Sequence, residues 1–86
     1  MYELFYKKGF LADVEVLDKR VAAKLRKSLI LLEKSPFHPS LGTKFLKGPL
    51  AGFYSFRVGG DHRCIFIIRE KVIELIRIKP RGQIYR

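Results

Sequence analysis

A chain of 86 residues with one cysteine is long enough for a single domain with one modest core, and it excludes a disulfide framework. Its net charge of +10 favours a polyanionic partner, and the candidates are RNA, DNA and an acidic protein. The apolar runs are too short to span a bilayer and the amino terminus lacks a signal peptide's apolar stretch, so we expect one cytoplasmic domain over residues 1–86 with no membrane partner.

The amino-terminal half predicts one strand and two helices. Residues 2–6 predict a short strand, and apolar residues spaced by three and four predict a short helix after it. Asp18 is a suitable N-cap for a longer amphipathic helix over residues 19–34. Two prolines and a glycine over residues 35–42 then predict a loop, which contains His38.

The carboxy-terminal half predicts four strands, at residues 43–47, 52–58, 62–69 and 71–78. The connections between them are too short for crossovers, so the strands are expected to be antiparallel neighbours. The element order is therefore β-α-α-β-β-β-β. It predicts an α+β domain in which two helices pack on one face of a mainly antiparallel sheet.

Cationic side chains recur at strand spacing in this second half. Residues 44–86 hold ten Lys or Arg against three acids and so carry +7 of the net charge. Ser55 and Arg57 alternate with apolar residues of their strand and therefore point to one face. The strand over residues 62–69 is apolar in its middle and has Arg63 near its start, which is typical of a central strand with a functional rim. The pattern predicts a phosphate-binding surface built on a sheet.

Four motifs in this half carry a resemblance to a known family. They are Leu46-Lys47-Gly48, Gly52-Phe53-Tyr54-Ser55-Phe56-Arg57-Val58, Asp61-His62-Arg63-Cys64-Ile65-Phe66 and Arg81-Gly82-Gln83-Ile84-Tyr85. The chain resembles the RelE/ParE toxin superfamily of bacteria and archaea, in which motifs of this kind follow one another in this order. The resemblance covers nearly the whole chain. It implies the RelE-like microbial ribonuclease fold and a type II toxin that is neutralised by a cognate antitoxin protein.

The resemblance also implies an activity and a set of catalytic residues. Ribosome-dependent members cut messenger RNA in the ribosomal A site, where the 2′-hydroxyl attacks the adjacent phosphate. Carried over by position, Arg63 and Arg81 would bind that phosphate and Arg57 would stabilise the transition state. Tyr85 would stack on or orient a base, or polarise the 2′-hydroxyl. The predicted catalytic residues are these four.

Further contacts with RNA are predicted for Lys44, Lys47, Ser55 and Lys79. Lys47 belongs to the Leu-Lys-Gly turn and Lys44 lies near it, and Ser55 shares a strand face with Arg57. His38 lies near where other branches of the superfamily place a catalytic carboxylate or histidine, so it is a possible acid or base. No cysteine and histidine spacing suits a metal ion, and we expect neither a metal nor a cofactor.

Two departures from the superfamily pattern leave other functions open. Ser55 stands where the best-known members carry a lysine, and Pro80 stands where many carry a histidine, so a strong general base is not evident. The retained arginines favour the ribonuclease. The missing groups favour either the ParE branch, which poisons DNA gyrase by binding without catalysis, or an inactive relative that only binds nucleic acid.

Overall fold

A computed structural model describes residues 1–84 and confirms the predicted order of strands and helices. The strands are β1 (Glu3–Tyr6), β2 (Lys44–Phe45), β3 (Tyr54–Val58), β4 (His62–Arg69) and β5 (Val72–Pro80). The helices are α1 (Lys8–Glu15) and α2 (Lys19–Lys34), and two 3₁₀ turns cover Pro39–Leu41 and Gly48–Leu50. Strand β2 is shorter than predicted, because the chain enters the second of these turns soon after it.

The strands form one sheet in the order β1-β5-β4-β3-β2. Strands β2 to β5 pair as antiparallel neighbours, as their short connections predict. Strand β1 lies beside β5 and runs parallel to it, with Glu3 opposite Val72 and Tyr6 opposite Leu75. Strands β1 and β2 are therefore the two opposite edges of the sheet.

Helix α2 is amphipathic and packs on one face of this sheet. The Asp18 carboxylate accepts a hydrogen bond from the Val21 amide at 3.0 Å, which confirms it as the N-cap. Leu25 and Leu32 are buried on the inner face of the helix, while its lysines and arginines are exposed to solvent. No helix within residues 1–84 is long and apolar enough to cross a membrane.

The core fills the space between the two helices and the sheet. Its fully or nearly fully buried members are Phe10, Leu25, Leu32, Leu41, Phe56, Val58, Cys64, Phe66, Ile73, Leu75 and Ile78. Burial raises the pKa of the Cys64 thiol well above its ordinary value, so this side chain stays protonated and serves as a small apolar group.

Asp13 of α1 covers the edge of β5 beyond the point where β1 ends. The residue is 4% exposed, and its carboxylate accepts a hydrogen bond from the Ile78 amide at 3.0 Å, a donor that β1 does not reach. The Arg77 guanidinium donates to both carboxylate oxygens, at 2.8 and 3.0 Å, and the Lys79 ammonium lies 3.2 Å away. Burial acts to raise the pKa of Asp13, but these donors outweigh it and hold that pKa below its usual range.

Candidate nucleic-acid interface

A cleft of about 380 Å³ opens on the sheet face away from the helices. The residues that line it come from the loop before β2, from β2, β3 and β4, and from the turn after β5. They belong to Gly42, Lys44, Ser55, Arg57, Arg63 and Arg81, and we refer to this site as the cationic cleft. Strand alternation explains the placement, since Phe56, Val58 and Cys64 between these positions belong to the core on the other face.

The strand register brings the cationic side chains together. Lys44 of β2 lies opposite Ser55 of β3, and Arg57 of β3 lies opposite Arg63 of β4. Residues directly opposite one another share a sheet face, and like charges in such positions destabilise the pairing of the strands. The Arg57 and Arg63 pair therefore does not help the fold. Its placement fits a ligand that supplies the negative charge.

Gly42 leaves room for the guanidinium of Arg57 because it has no side chain. It ends the first 3₁₀ turn with a φ of 61°, in the left-handed region that favours glycine. A Cβ built on Gly42 would lie 2.9 Å from Nη2 and 3.0 Å from Cζ of Arg57, and closer still to Nε. The guanidinium thus occupies the space that a side chain at position 42 would need. Sequence reasoning did not single out Gly42, because a loop glycine gives no sign of which side chain approaches it.

Backbone contacts hold Arg81 and Arg63 at the other side of the cationic cleft. The Arg81 amide donates to the Asp61 carbonyl at 2.6 Å, which fixes the turn after β5 against the start of β4. The Gln83 and Ile84 amides donate to the Pro80 carbonyl and close that turn. The Arg63 guanidinium donates through Nη1 to the carbonyl of His62 at 3.1 Å, which holds it along its own strand.

The cationic cleft concentrates positive charge without a neutralising acid among its described lining residues. Lys44, Arg57, Arg63 and Arg81 supply four cations, and the two remaining lining residues are glycine and serine. A concave surface of one sign focuses its field and raises the local concentration of polyanions. The arrangement can bind a phosphodiester through several charge-assisted hydrogen bonds and can offset charge that develops on the phosphorus.

Three residues predicted to serve the site lie away from the cationic cleft. Lys79 is the register partner of Arg63, but its ammonium turns to the carboxylate of Asp13 over the open edge of β5. Lys47 lies in a shallow depression formed with the second 3₁₀ turn. The Nδ1 atom of His38 accepts the Ser40 amide at 3.1 Å and so begins the first 3₁₀ turn.

The remaining predicted catalytic residue, Tyr85, lies outside the described residues. Within residues 1–84 the lining of the cationic cleft offers no histidine or carboxylate as a general base. In the same part of the chain, no three His, Cys, Asp or Glu side chains are grouped so that they could hold a metal ion.

Comparisons with known proteins give a match over nearly the whole chain. The model of a family described as "ParE toxin of type II toxin-antitoxin system, parDE" matches residues 4–85. A search of curated protein sequences gives no match. Solved structures of similar fold are numerous, with 30 matching chains.

Three of these structures illustrate the similarity. A chain of the archaeal RelE-RelB complex from Pyrococcus horikoshii OT3 is 26% identical, with 95% of this chain and 97% of that chain covered and a TM-score of 0.79. YafQ from E. coli strain BL21(DE3) is 20% identical over the full length of both chains, with a TM-score of 0.84. A chain of the heterotetrameric YoeB-YefM toxin-antitoxin complex from Staphylococcus aureus is 19% identical, with 92% and 95% covered and a TM-score of 0.77.

Proposed function

The chain belongs to the family of ParE toxins of type II toxin-antitoxin systems, and we propose that it acts as a ribosome-dependent endoribonuclease on messenger RNA in the ribosomal A site. The observation that carries this proposal is the cationic cleft, where Arg57 and Arg63 lie opposite each other and Arg81 is held beside them. Such a concentration of cations in a concave site suits the negative charge that develops on a phosphodiester during cleavage. The proposed target places the activity in the cytoplasm, where ribosomes translate.

The proposed reaction is a transesterification within the RNA. The 2′-oxygen forms a bond to the adjacent phosphorus, the bond from phosphorus to the 5′-oxygen breaks, and the proton of the 2′-hydroxyl is lost as the leaving oxygen gains one. The products are a 2′,3′-cyclic phosphate and a 5′-hydroxyl. Arg63 and Arg81 would bind the nonbridging oxygens, and Arg57 would offset the negative charge that develops on the phosphorane.

Proton transfer is the step for which the described residues of the cationic cleft supply the fewest suitable groups. Ser55 and Lys44 line the cationic cleft beside Arg57 and can orient the RNA backbone, but the described lining holds no histidine or carboxylate to act as a general base. We assign to Tyr85 the role of orienting a base or polarising the 2′-hydroxyl. The ribosome would align the 2′-oxygen with the scissile bond, and such alignment supplies much of the rate in reactions of this type.

We also propose that a cognate antitoxin protein binds and inhibits this chain. The structures from Pyrococcus horikoshii and Staphylococcus aureus are complexes of this kind, RelE with RelB and YoeB with YefM. A partner rich in carboxylates would complement the net charge of +10 and would be steered to the cationic cleft. Inhibition would then be physical occlusion of Arg57, Arg63 and Arg81, or displacement of the segment that carries Arg81.

Poisoning of DNA gyrase is the second candidate function. It is favoured by Ser55 and Pro80, which stand where ribonuclease members of the superfamily carry a lysine or a histidine, and by the family model, which is that of the ParE toxins. The two functions predict different damage in the cell. The ribonuclease leaves cut messenger RNA and intact DNA, whereas the poison leaves cut DNA and intact messenger RNA.

Induced expression followed by mapping of RNA 5′ ends tests the proposal. We expect growth arrest with new ends inside translated frames, and loss of both in Arg81→Ala. Arg69→Ala is the matched control, because it removes the same charge from the far end of β4, where Arg69 is exposed and pairs with Glu74. Arrest with intact messenger RNA and linearised plasmid DNA would instead assign the toxin to gyrase.

A further inference from the structure

Three aromatic rings, from the loop after α2, from β2 and from β3, form a cluster at the β2 edge of the sheet, on the face opposite to the cationic cleft. Phe37 and Phe45 each pack edge-on against Tyr54, with ring centroids 5.5 and 5.3 Å apart and interplanar angles of 74° and 60°. Tyr54 in turn stacks on the buried Phe66 at 5.4 Å and 20°. We refer to Phe37, Phe45 and Tyr54 as the edge cluster. Tyr54 anchors it to the core, and the two phenylalanines form its outer surface.

The two outer rings of the edge cluster remain more than half exposed to solvent even though each packs against Tyr54. Phe37 is 58% exposed and Phe45 is 57% exposed, although each is held at a defined angle to Tyr54. Adjoining large apolar side chains left in water on a small domain mark an interaction site. Aromatic rings in particular offer flat faces on which a second flat group can stack.

The charge of the chain segment that carries the edge cluster indicates the kind of partner. Residues 34–60 contain four cations, Lys34, Lys44, Lys47 and Arg57, and no acid. Lys44 and Phe45 are successive residues of β2, so Lys44 lines the cationic cleft and Phe45 faces the other side. Because β2 is an edge strand of only two residues, the cationic cleft and the edge cluster adjoin across it.

We propose that the edge cluster stacks one or two bases of single-stranded RNA that leaves the cationic cleft over β2. This inference rests on the proposed function, since the same RNA strand must occupy the cationic cleft. Cationic side chains that follow a phosphate backbone, together with exposed aromatic rings that stack on unpaired bases, are the composition of surfaces that bind single strands. An acidic protein would be attracted by the same charges, and the phenylalanine variants below distinguish it from RNA.

Titration of a single-stranded RNA oligonucleotide of about 12 nucleotides at several salt concentrations separates the two contributions to binding. Phe37→Ala and Phe45→Ala should each weaken binding about 5- to 100-fold, because stacking on one base is lost. Neither should change the slope of log affinity against log salt, since no phosphate contact is removed. Arg57→Ala and Lys44→Ala should instead lower that slope by about 0.7 to 1.

Matched variants keep this test independent of folding. Phe5→Ala is the control for surface aromatics, because Phe5 is 53% exposed on β1, at the opposite edge of the sheet. Phe45→Leu retains apolar bulk against Tyr54 but removes the aromatic face, and it should weaken binding nearly as much as Phe45→Ala. An oligonucleotide with abasic sites should bind the parent and Phe45→Ala equally, because no base remains to stack.

The outcomes distinguish failure of this inference from failure of the proposed function. If the cleft variants lower the salt slope while Phe37→Ala and Phe45→Ala bind like the parent, the edge cluster does not contact RNA and the inference is overturned alone. If the parent binds RNA no better than its cleft variants, the proposed function fails as well. If the phenylalanine variants lose only a co-purified protein partner, the edge cluster is a protein interface.

Discussion

Replacing Gly42 by alanine should displace Arg57 from the cationic cleft without unfolding the protein. The new Cβ would stand 2.9 Å from Nη2 of Arg57, whereas ordinary van der Waals contact begins at 3.4 Å. The guanidinium must therefore move by at least about 0.5 Å, and further at Nε. Because the obstructing group is the end of a long side chain, it can swing aside, and the fold loses little.

The expected magnitudes follow from these distances. Alanine at a positive φ costs about 1 kcal/mol of stability relative to glycine. A displacement of about 1 Å in a catalytic group can cost about 10²-fold in rate, so a shift of half that or more should lower cleavage about 10-fold. Gly48→Ala is the matched control, since Gly48 has a similar φ of 67° and nothing within 4 Å of an added Cβ. It should show the same loss of stability with unchanged cleavage.

Single-turnover cleavage of ribosome-bound messenger RNA, together with urea unfolding of the same variants, measures both quantities. In the background of Arg57→Ala, the change of Gly42 should have no further effect on cleavage, because there is no guanidinium left to displace. This role of Gly42 is refuted if Gly42→Ala and Gly48→Ala lower cleavage equally, or if Gly42→Ala still lowers cleavage when Arg57 is absent.

Other predictions concern stability and binding. Asp13→Asn should lower the free energy of unfolding by about 1–3 kcal/mol at neutral pH, because the amide cannot accept all the hydrogen bonds from Arg77 and Ile78. These contacts depress the folded pKa of Asp13, so the stabilisation is present above about pH 4 and is lost as the pH falls further. Urea titrations at pH 7 and at about pH 3 measure this effect. The difference in free energy of unfolding between the parent and Asp13→Asn should shrink at the lower pH, and a constant difference would contradict the stabilising role of the Asp13 carboxylate. In the complex with the antitoxin, hydrogen exchange should slow in residues 77–84 or in α2, and a stable complex that protects neither would exclude occlusion.

Much of the fold could be predicted because its strands follow simple patterns. Alternation of apolar residues and short connections were enough to identify β2 to β5 as antiparallel neighbours. The pairing of β1 with β5 could not be predicted from such local patterns, because the two strands are far apart in the sequence. A bulge near Ile76 was missed as well. Between β4 and β5 the register shifts by one residue there, so Leu75 and Ile78 both face the core although they lie three positions apart.

The cationic cleft, like the fold, could be predicted from the sequence only in part. Alternation placed Ser55 and Arg57 on one face, and the structure puts Arg63 opposite Arg57 on that face. Alternation did not show that the Lys79 ammonium would turn to the carboxylate of Asp13. That contact depends on where β1 ends and on α1, which covers the open edge of β5. The contribution of Gly42 depends likewise on a contact between distant segments, which no local pattern records.

The rate at which the purified protein cuts messenger RNA in the A site of programmed ribosomes is the most direct test of the proposed function. We expect the parent to leave a 2′,3′-cyclic phosphate, and we expect a rate about 10²- to 10³-fold lower for Arg81→Ala and for Arg57→Ala. Arg69→Ala should cut at the rate of the parent, because Arg69 lies outside the cationic cleft. Equal rates for all of these variants, or no cleavage by a parent protein that traps gyrase on DNA, would contradict the proposed ribonuclease activity of the cationic cleft.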